Sequence, residues 1–246
     1  MALPRFFCPI PLLKDQTITL SREVAHHAGR SLRLREGTRI ALFNGEGGEY
    51  HGILRFKEGI AQAEIDSFHP DNHTLSGQIT LIQALASSDK MDWIIEKAVE
   101  IGVKHFIPVA AERSVLQLSG TRLEKRQQHW QSIIQSACEQ SGRNVLMELL
   151  PVQTLKNTLE MLHGQNLTLF IAHPESDFSL STYLRQHPSL QNIGFFVGPE
   201  GGWSDKEIQT MEHFHAIKVQ FGDRVLRTET AGLALSSASA AILEWI

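Results

Sequence analysis

Two short segments of the 246-residue chain concentrate groups that could bind or transform a ligand. The first, Gly198-Pro199-Glu200-Gly201-Gly202, follows the apolar run Ile193 to Val197 and precedes Ser204-Asp205-Lys206-Glu207, whose Ser-to-Glu spacing predicts a capped helix. Its three glycines leave main-chain N–H and C=O groups uncovered, so a flat ligand or a phosphate could rest on the backbone itself. The alternative is a tight strand-to-helix turn that needs glycine only for its geometry. The second segment runs from Gly222 to Gly232 and sets Asp223, Arg224, Arg227, Thr228, Glu229 and Thr230 at the entrance of a helix rich in Leu, Ala and Ser. Charges gathered at a strand end are costly unless they meet one another or a ligand. The plainer alternative is a surface pair of Arg227 and Glu229 with threonine caps.

Other chemistries fail on spacing. The chain has no G-x-G-x-x-G dinucleotide fingerprint, no G-x-x-x-x-G-K-[ST] phosphate loop and no G-x-S-x-G nucleophile elbow. Its 12 histidines include His26-His27, His69 with His73, and His213 with His215, but none falls in an H-E-x-x-H frame, and no metal is expected. Cys8 and Cys138 are the only cysteines, too few for a disulfide framework or a thiolate zinc site, and neither has an adjacent base to activate it.

The elements that must position the two segments can be read from periodicity. Hydrophobic residues make up 42% and charged residues 20%, a mix that folds without staples and excludes a disordered chain. No charge-free stretch, Thr230 to Leu243 included, reaches the ~20 residues of a membrane span. Prolines 4, 9 and 11 break the apolar start of the chain, so no export signal is expected and the predicted location is cytoplasmic. From Ile18 to Phe68 short alternating strands, separated by Asn44-Gly45, Gly47-Gly48 and Glu58-Gly59, surround a helical turn at Ser21 to Gly29 and suggest a small β-barrel. The polar cluster His69 to Thr74 places a boundary there, giving domains 1–72 and 73–246. Beyond it strands alternate with helices: Gln78 to Ala86, Asp89 to Glu100, Val103 to Ala110, a helix opened by Thr121 and Glu124, Leu167 to Ala172, Leu180 to Gln186, Ile193 to Val197, and the alternation of Ile217, Val219 and Phe221. That order predicts an α/β domain with a mainly parallel sheet, which binds ligands at the carboxyl ends of its strands.

The net charge of −4 does not itself suggest a nucleic-acid partner. Locally, however, Arg22, Arg30, Arg33, Arg35 and Arg39 face only Glu23 and Glu36. That positive patch is either a solvated face or a footprint for phosphates.

Taken together, Val197 to Gly202 and Leu226-Arg227-Thr228-Glu229-Thr230-Ala231 resemble the cofactor loops of the SPOUT superfamily, and specifically of the bacterial small-subunit ribosomal RNA uridine N3-methyltransferases. The likeness extends along the whole chain, through Arg5-Phe6-Phe7, Leu32-Arg33, Lys90 to Val103, Arg113-Ser114 and Glu139 to Arg143. Phe221-Gly222 stands where the family often has Leu-Gly, and Asn144 follows Arg143 where a proline is common.

The resemblance implies a PUA-like RNA-binding β-barrel followed by a SPOUT domain with a trefoil knot, S-adenosylmethionine as cofactor, and a homodimer. It implies cofactor contacts at Ala172, Val197, Gly198, Pro199, Glu200, Gly201, Gly202, Phe221, Gly222, Val225, Leu226, Thr230 and Ala231. The catalytic nominees are Arg227, with Arg113 or Arg143 acting from the other subunit, and Glu229 or Glu200 as base or orienting group. Arginine suits a negative charge spread over two uracil carbonyls, because its fork donates to both. RNA contacts are expected at Arg5, Arg30, Arg33, Arg35, Arg122 and Arg126, with small-subunit ribosomal RNA as substrate, in the assembled subunit. An RNA-binding factor without catalysis and a small-molecule methyltransferase are the competing readings; the intact glycines oppose the first and the extra barrel the second.

Overall fold

A computed structural model describes residues 3–57 and 60–246. The expected turn at Glu58-Gly59 lies outside the described residues. The chain divides into two compact units, Met1–Thr74 with Gln135–Leu146, and Leu75–Ile134 with Met147–Ile246.

The first unit carries β1 (Arg5–Phe7), β2 (Thr17–Thr19), α1 (Arg22–His26), β3 (Arg39–Phe43), β4 (Glu49–Lys57) and β5 (Ile60–His69). Its sheet runs in the order β1-β3-β4-β5-β2, with β1 parallel to β3 and the other pairings antiparallel. Alternation decides which face is buried: Ala61, Ala63 and Ile65 of β5 join Phe6, Ile40, Leu42 and Leu54 in one core, while Glu64 and Asp66 stay exposed. Ser21 caps α1 by accepting from Val24 N at 3.2 Å, and the helix continues as one π-helical turn, His27–Ser31. Segment 135–146 contributes polar ties. Arg5 is paired with Glu49 and donates to Asn144 Oδ1 at 2.6 Å, while Phe7 N donates to Glu139 Oε1 at 2.8 Å.

The second unit contains β6 (Gln78–Ala84), α2 (Ser88–Ile101), β7 (His105–Ala110), the first turns of α3 (Gly120–Ser141), β8 (Glu148–Leu149), β9 (Gln153–Thr154), α4 (Leu155–Leu162), β10 (Thr168–Ala172), α5 (Leu180–Gln186), β11 (Asn192–Val197), α6 (Asp205–His213), β12 (Ile217–Val219) and α7 (Thr228–Ile242). The strand order is β12-β10-β11-β6-β7-β8, with β9 also on β7, and every pairing is parallel. The central strands β6 and β11 are buried along nearly their whole length, which is why their sequences run apolar instead of alternating. α7 can lie against them because Gly232 has no side chain; a Cβ there would stand 2.7 Å from Leu81 Cδ1.

Two local expectations differ. α3 begins at Gly120, so Thr121 sits inside the first turn, and the carbonyl of Ser119 accepts from Leu123 N where a Thr121 side chain was expected to act. β12 ends at Val219: Gln220 makes a single bridge to Ser179, and Phe221, 36% exposed, leads into Gly222 at φ 72°. Among the described residues no helix is long and apolar enough to cross a membrane.

Candidate functional site

At the carboxyl ends of β10 and β11 the second unit opens into a cleft of about 620 Å³, within the ~300–1,000 Å³ of small-molecule sites. The loop after β11 supplies one wall: Val197, Gly198, Pro199, Glu200, Gly201 and Gly202 all line it. Gly202 closes a turn by donating to Pro199 O at 2.9 Å and adopts φ 69°, a conformation that glycine takes without steric cost. Gly201 is favoured for a different reason, since a Cβ would meet Arg113 Cβ at a tight 3.2 Å. The glycines therefore serve both turn geometry and close approach, and the loop still borders the cleft.

The second wall comes from Val225, Leu226, Arg227, Thr228 and Ala231, where the chain enters α7. Two hydrogen bonds in series join this wall to the sheet and to the glycine loop. Gln83 Nε2 donates to Thr228 Oγ1 at 2.9 Å, and Thr228 Oγ1 donates to Gly198 O at 2.6 Å. Gln83 and Thr228 are both buried, so the network has little competition from water.

Charged groups complete the cleft. Lys90 Nζ lies 3.3 Å from Glu200 Oε1 and 3.2 Å from Glu229 Oε2, and Ser87 N also donates to Glu200 Oε1 at 3.1 Å. Loss of solvent pushes the Lys90 ammonium down, but its two carboxylate partners outweigh this and leave its pKa raised. For Glu200 the desolvation penalty is likewise overcome, by backbone N–H donors and by Lys90, and its pKa is lowered. Arg113 Nη1 donates to Gly201 O at 3.1 Å and Trp203 O at 3.4 Å, bracing the loop. Arg227 is exposed at the rim and, among the described residues, has no ion pair.

The structure gathers most of the expected cofactor residues in one place. Ala172, Val225, Leu226 and Ala231 also border a contiguous hollow of about 60 Å³, together with Phe221 and Arg224. Gly222 and Thr230 line neither space, and Glu229 reaches the cleft through Lys90. Arg143 belongs to the first unit and is 3% exposed, with burial lowering its pKa. Of the RNA-contact nominees, Arg30, Arg33, Arg35 and Arg122 are exposed. Arg5 is committed to Glu49 and Asn144, and Arg126 donates to Ser88 Oγ at 2.8 Å and pairs with Asp92 at 3.2 Å.

Several lining residues had not been expected: Lys90, His173, Pro174, Glu175, Trp203, Asp205 and Ile208. For His173 to Glu175 the available signal was position, directly after a strand of a parallel sheet. Lys90 carried a different signal, a cation in the first turn of a helix, where the dipole disfavours it unless acids from elsewhere approach. Among the described residues no group of three or more His, Cys, Asp or Glu is arranged to hold a metal ion.

Comparison with known proteins agrees with this geometry. The RNA methyltransferase domain family matches residues 73–240, and the RNA methyltransferase PUA domain family matches residues 20–65. Ribosomal RNA small subunit methyltransferase E of Bacillus subtilis is 29% identical over 96% of both chains, and that of Synechocystis is 31% identical over 94% of this chain and 75% of its own length. A crystal structure of the Neisseria gonorrhoeae methyltransferase E bound to S-adenosyl methionine superposes with a TM-score of 0.89, at 36% identity over 98% of each chain. With a PUA-like domain ahead of a parallel-sheet domain whose strand ends form the cleft, the chain belongs to the ribosomal RNA small subunit methyltransferase E family.

Proposed function

We propose that the chain is an S-adenosylmethionine-dependent methyltransferase that modifies N3 of a uridine in small-subunit ribosomal RNA, working in the cytoplasm as a homodimer on the assembled subunit. The observation that carries this reading is the cleft itself. It is bounded by two loops that the Gln83–Thr228–Gly198 hydrogen bonds hold together, in a chain closely similar to a protein crystallised with that cofactor. The trefoil thread of the chain end belongs to the same proposal, and the meeting of β6, the β11 loop and the start of α7 in this network supports it.

The residues fit the group. Ala172, Pro174, Val197, Ile208, Leu226 and Ala231 offer apolar walls for a flat base, while Glu175, Glu200 and Asp205 supply negative charge suited to a sulfonium. S-Adenosylmethionine, when bound, supplies an electrophilic methyl group. The protein must orient the uracil, exclude water and manage the N3 proton, which is mostly in place at neutral pH. Arg227 faces the cleft with its donors, among the described residues, uncommitted to an acid, and it suits stabilisation of the imide anion across two carbonyl oxygens. Arg113 serves by holding the loop, and Arg143 is buried within the first unit. Glu200 is a weak proton acceptor because its pKa is lowered, so anion stabilisation by Arg227 carries the larger share.

Incubation with small ribosomal subunits and labelled S-adenosylmethionine, followed by mass-spectrometric mapping, tests the reading. The expected outcome is one N3-methylated uridine, lost in Arg227→Ala. Label on another base, or on no RNA at all, overturns it. Light scattering of the same preparation reports the dimer.

A further inference from the structure

We propose that Lys90 is a positioning residue that ties the Gly198–Gly202 loop to the first turn of α7 and so sets the width of the cleft; the inference rests on the methyltransferase reading above only for its catalytic consequence. The geometry is unusual for a lysine at a helix start. Lys90 stands in the first turn of α2, where the helix dipole opposes a cation, yet its ammonium meets carboxylates from two other segments. Glu200 lies in the glycine loop and Glu229 in the opening turn of α7, 29 residues further along the chain. All three side chains are partly exposed, at 22–28% of each.

Without the ammonium, two carboxylates that both lie within 3.3 Å of one point would face each other across the cleft wall. Like charges so placed repel, and one of them protonates more readily. Thr228 reaches the glycine loop through a neutral hydroxyl, and the Arg113 guanidinium is directed at the carbonyls of Gly201 and Trp203, so among the described residues Lys90 is the cation paired with these two acids. Lys90 therefore does two things that packing alone could not. It keeps Glu200 ionised and withdrawn from the proton-accepting role, and it makes loop closure depend on charge.

Lys90→Met keeps the aliphatic stem and removes the charge, and Lys90→Arg restores the charge. Hydrogen exchange on the free protein gives the first readout: amides of 198–202 and 228–231 should exchange faster in Lys90→Met and return towards wild type in Lys90→Arg. Kinetics with RNA give the second. Lys90→Met should lose about ten- to a hundredfold in kcat/KM, as expected when a reacting geometry loosens, and the acid limb of its pH profile should move up as Glu200, without its cation, takes up a proton more readily. Unchanged exchange in Lys90→Met overturns the tie, whether or not the chain methylates RNA. Faster exchange with kcat/KM and acid limb unchanged overturns its role in catalysis. Wild-type protein that neither binds S-adenosylmethionine by calorimetry nor methylates RNA overturns the functional reading instead, and leaves the exchange result to decide the tie.

Discussion

Glu139 shows how a single buried carboxyl can work against the fold at neutral pH. Burial raises its pKa, and the hydrogen bond from Phe7 N, with charge from His27 and Arg5, only partly offsets this. A carboxyl whose folded-state pKa lies above its unfolded value contributes stability that is complete below the unfolded pKa and lost as pH rises through the folded one. Glu139→Gln keeps an acceptor for Phe7 N and removes the ionisation. The variant should therefore gain thermal stability relative to wild type at pH 8, with the gain shrinking towards pH 4. Melting curves across that range check it, and an equal difference at both ends would refute the burial argument. Nothing in the sequence could have shown this. Glu139 stood in a recognisable run with Arg143, but its environment is assembled by β1, more than 130 residues away. The same neighbourhood pushes the Cys8 thiol up to about 12, chiefly through burial, so it is no nucleophile.

At the scale of elements, legibility followed how local the cause was. α6 was readable because its cap is written in four consecutive residues: Ser204 Oγ accepts from Glu207 N at 3.3 Å while Glu207 Oε2 accepts from Ser204 N at 2.8 Å. Glu207 is also 6% exposed and takes Glu112 N at 2.9 Å, which ties α6 to the segment after β7 and lay beyond any sequence pattern. Ser204→Ala should cost about 1 kcal/mol of stability. Glu207→Ala removes an acceptor shared by two backbone donors and should cost about 2 kcal/mol. Urea titrations of both variants test the order, and a Glu207→Ala variant less damaged than Ser204→Ala would contradict it. The same spacing misled at Thr121, because a helix start depends on where the backbone turns, and Gly120, at φ 52°, turns it one residue earlier. β12 fell short of Phe221 for a comparable reason. Alternation continued in sequence, but the chain had left its partner β10, whose last paired residue is Ala172 opposite Val219.

At the scale of the molecule, the two kinds of fold were legible as a change from short alternating strands to strands alternating with helices, whereas the membership of 135–146 in the first unit was not, because those residues sit in and after a helix that begins in the second. The division of labour proposed for 1–72 and 73–246 gives RNA to the first and cofactor to the second. The structure sharpens which arginines can serve. Arg5 and Arg39 are held by Glu49 and Asp66, and Arg126 by Asp92, so their charges are already answered. Asp92 also accepts from Trp130 Nε1 at 3.1 Å, so Arg126 joins α3 to α2, and no phosphate is needed to explain its place. Arg30, Arg33 and Arg35 remain exposed in and after the π-helical turn, and among the described residues none of them is ion-paired. Each phosphate contact contributes about 0.7 to the salt slope of log affinity on single strands and about 0.9 on duplex. Changing these three arginines to Gln should therefore weaken RNA binding, flatten that slope by up to about 2 to 3, and leave calorimetric affinity for S-adenosylmethionine unchanged. Arg126→Gln, by contrast, should lower thermal stability and leave the slope where it was. A triple variant with the wild-type slope would return the patch to a solvated face, and a flattened slope in Arg126→Gln would mean that Asp92 gives up this arginine to the RNA.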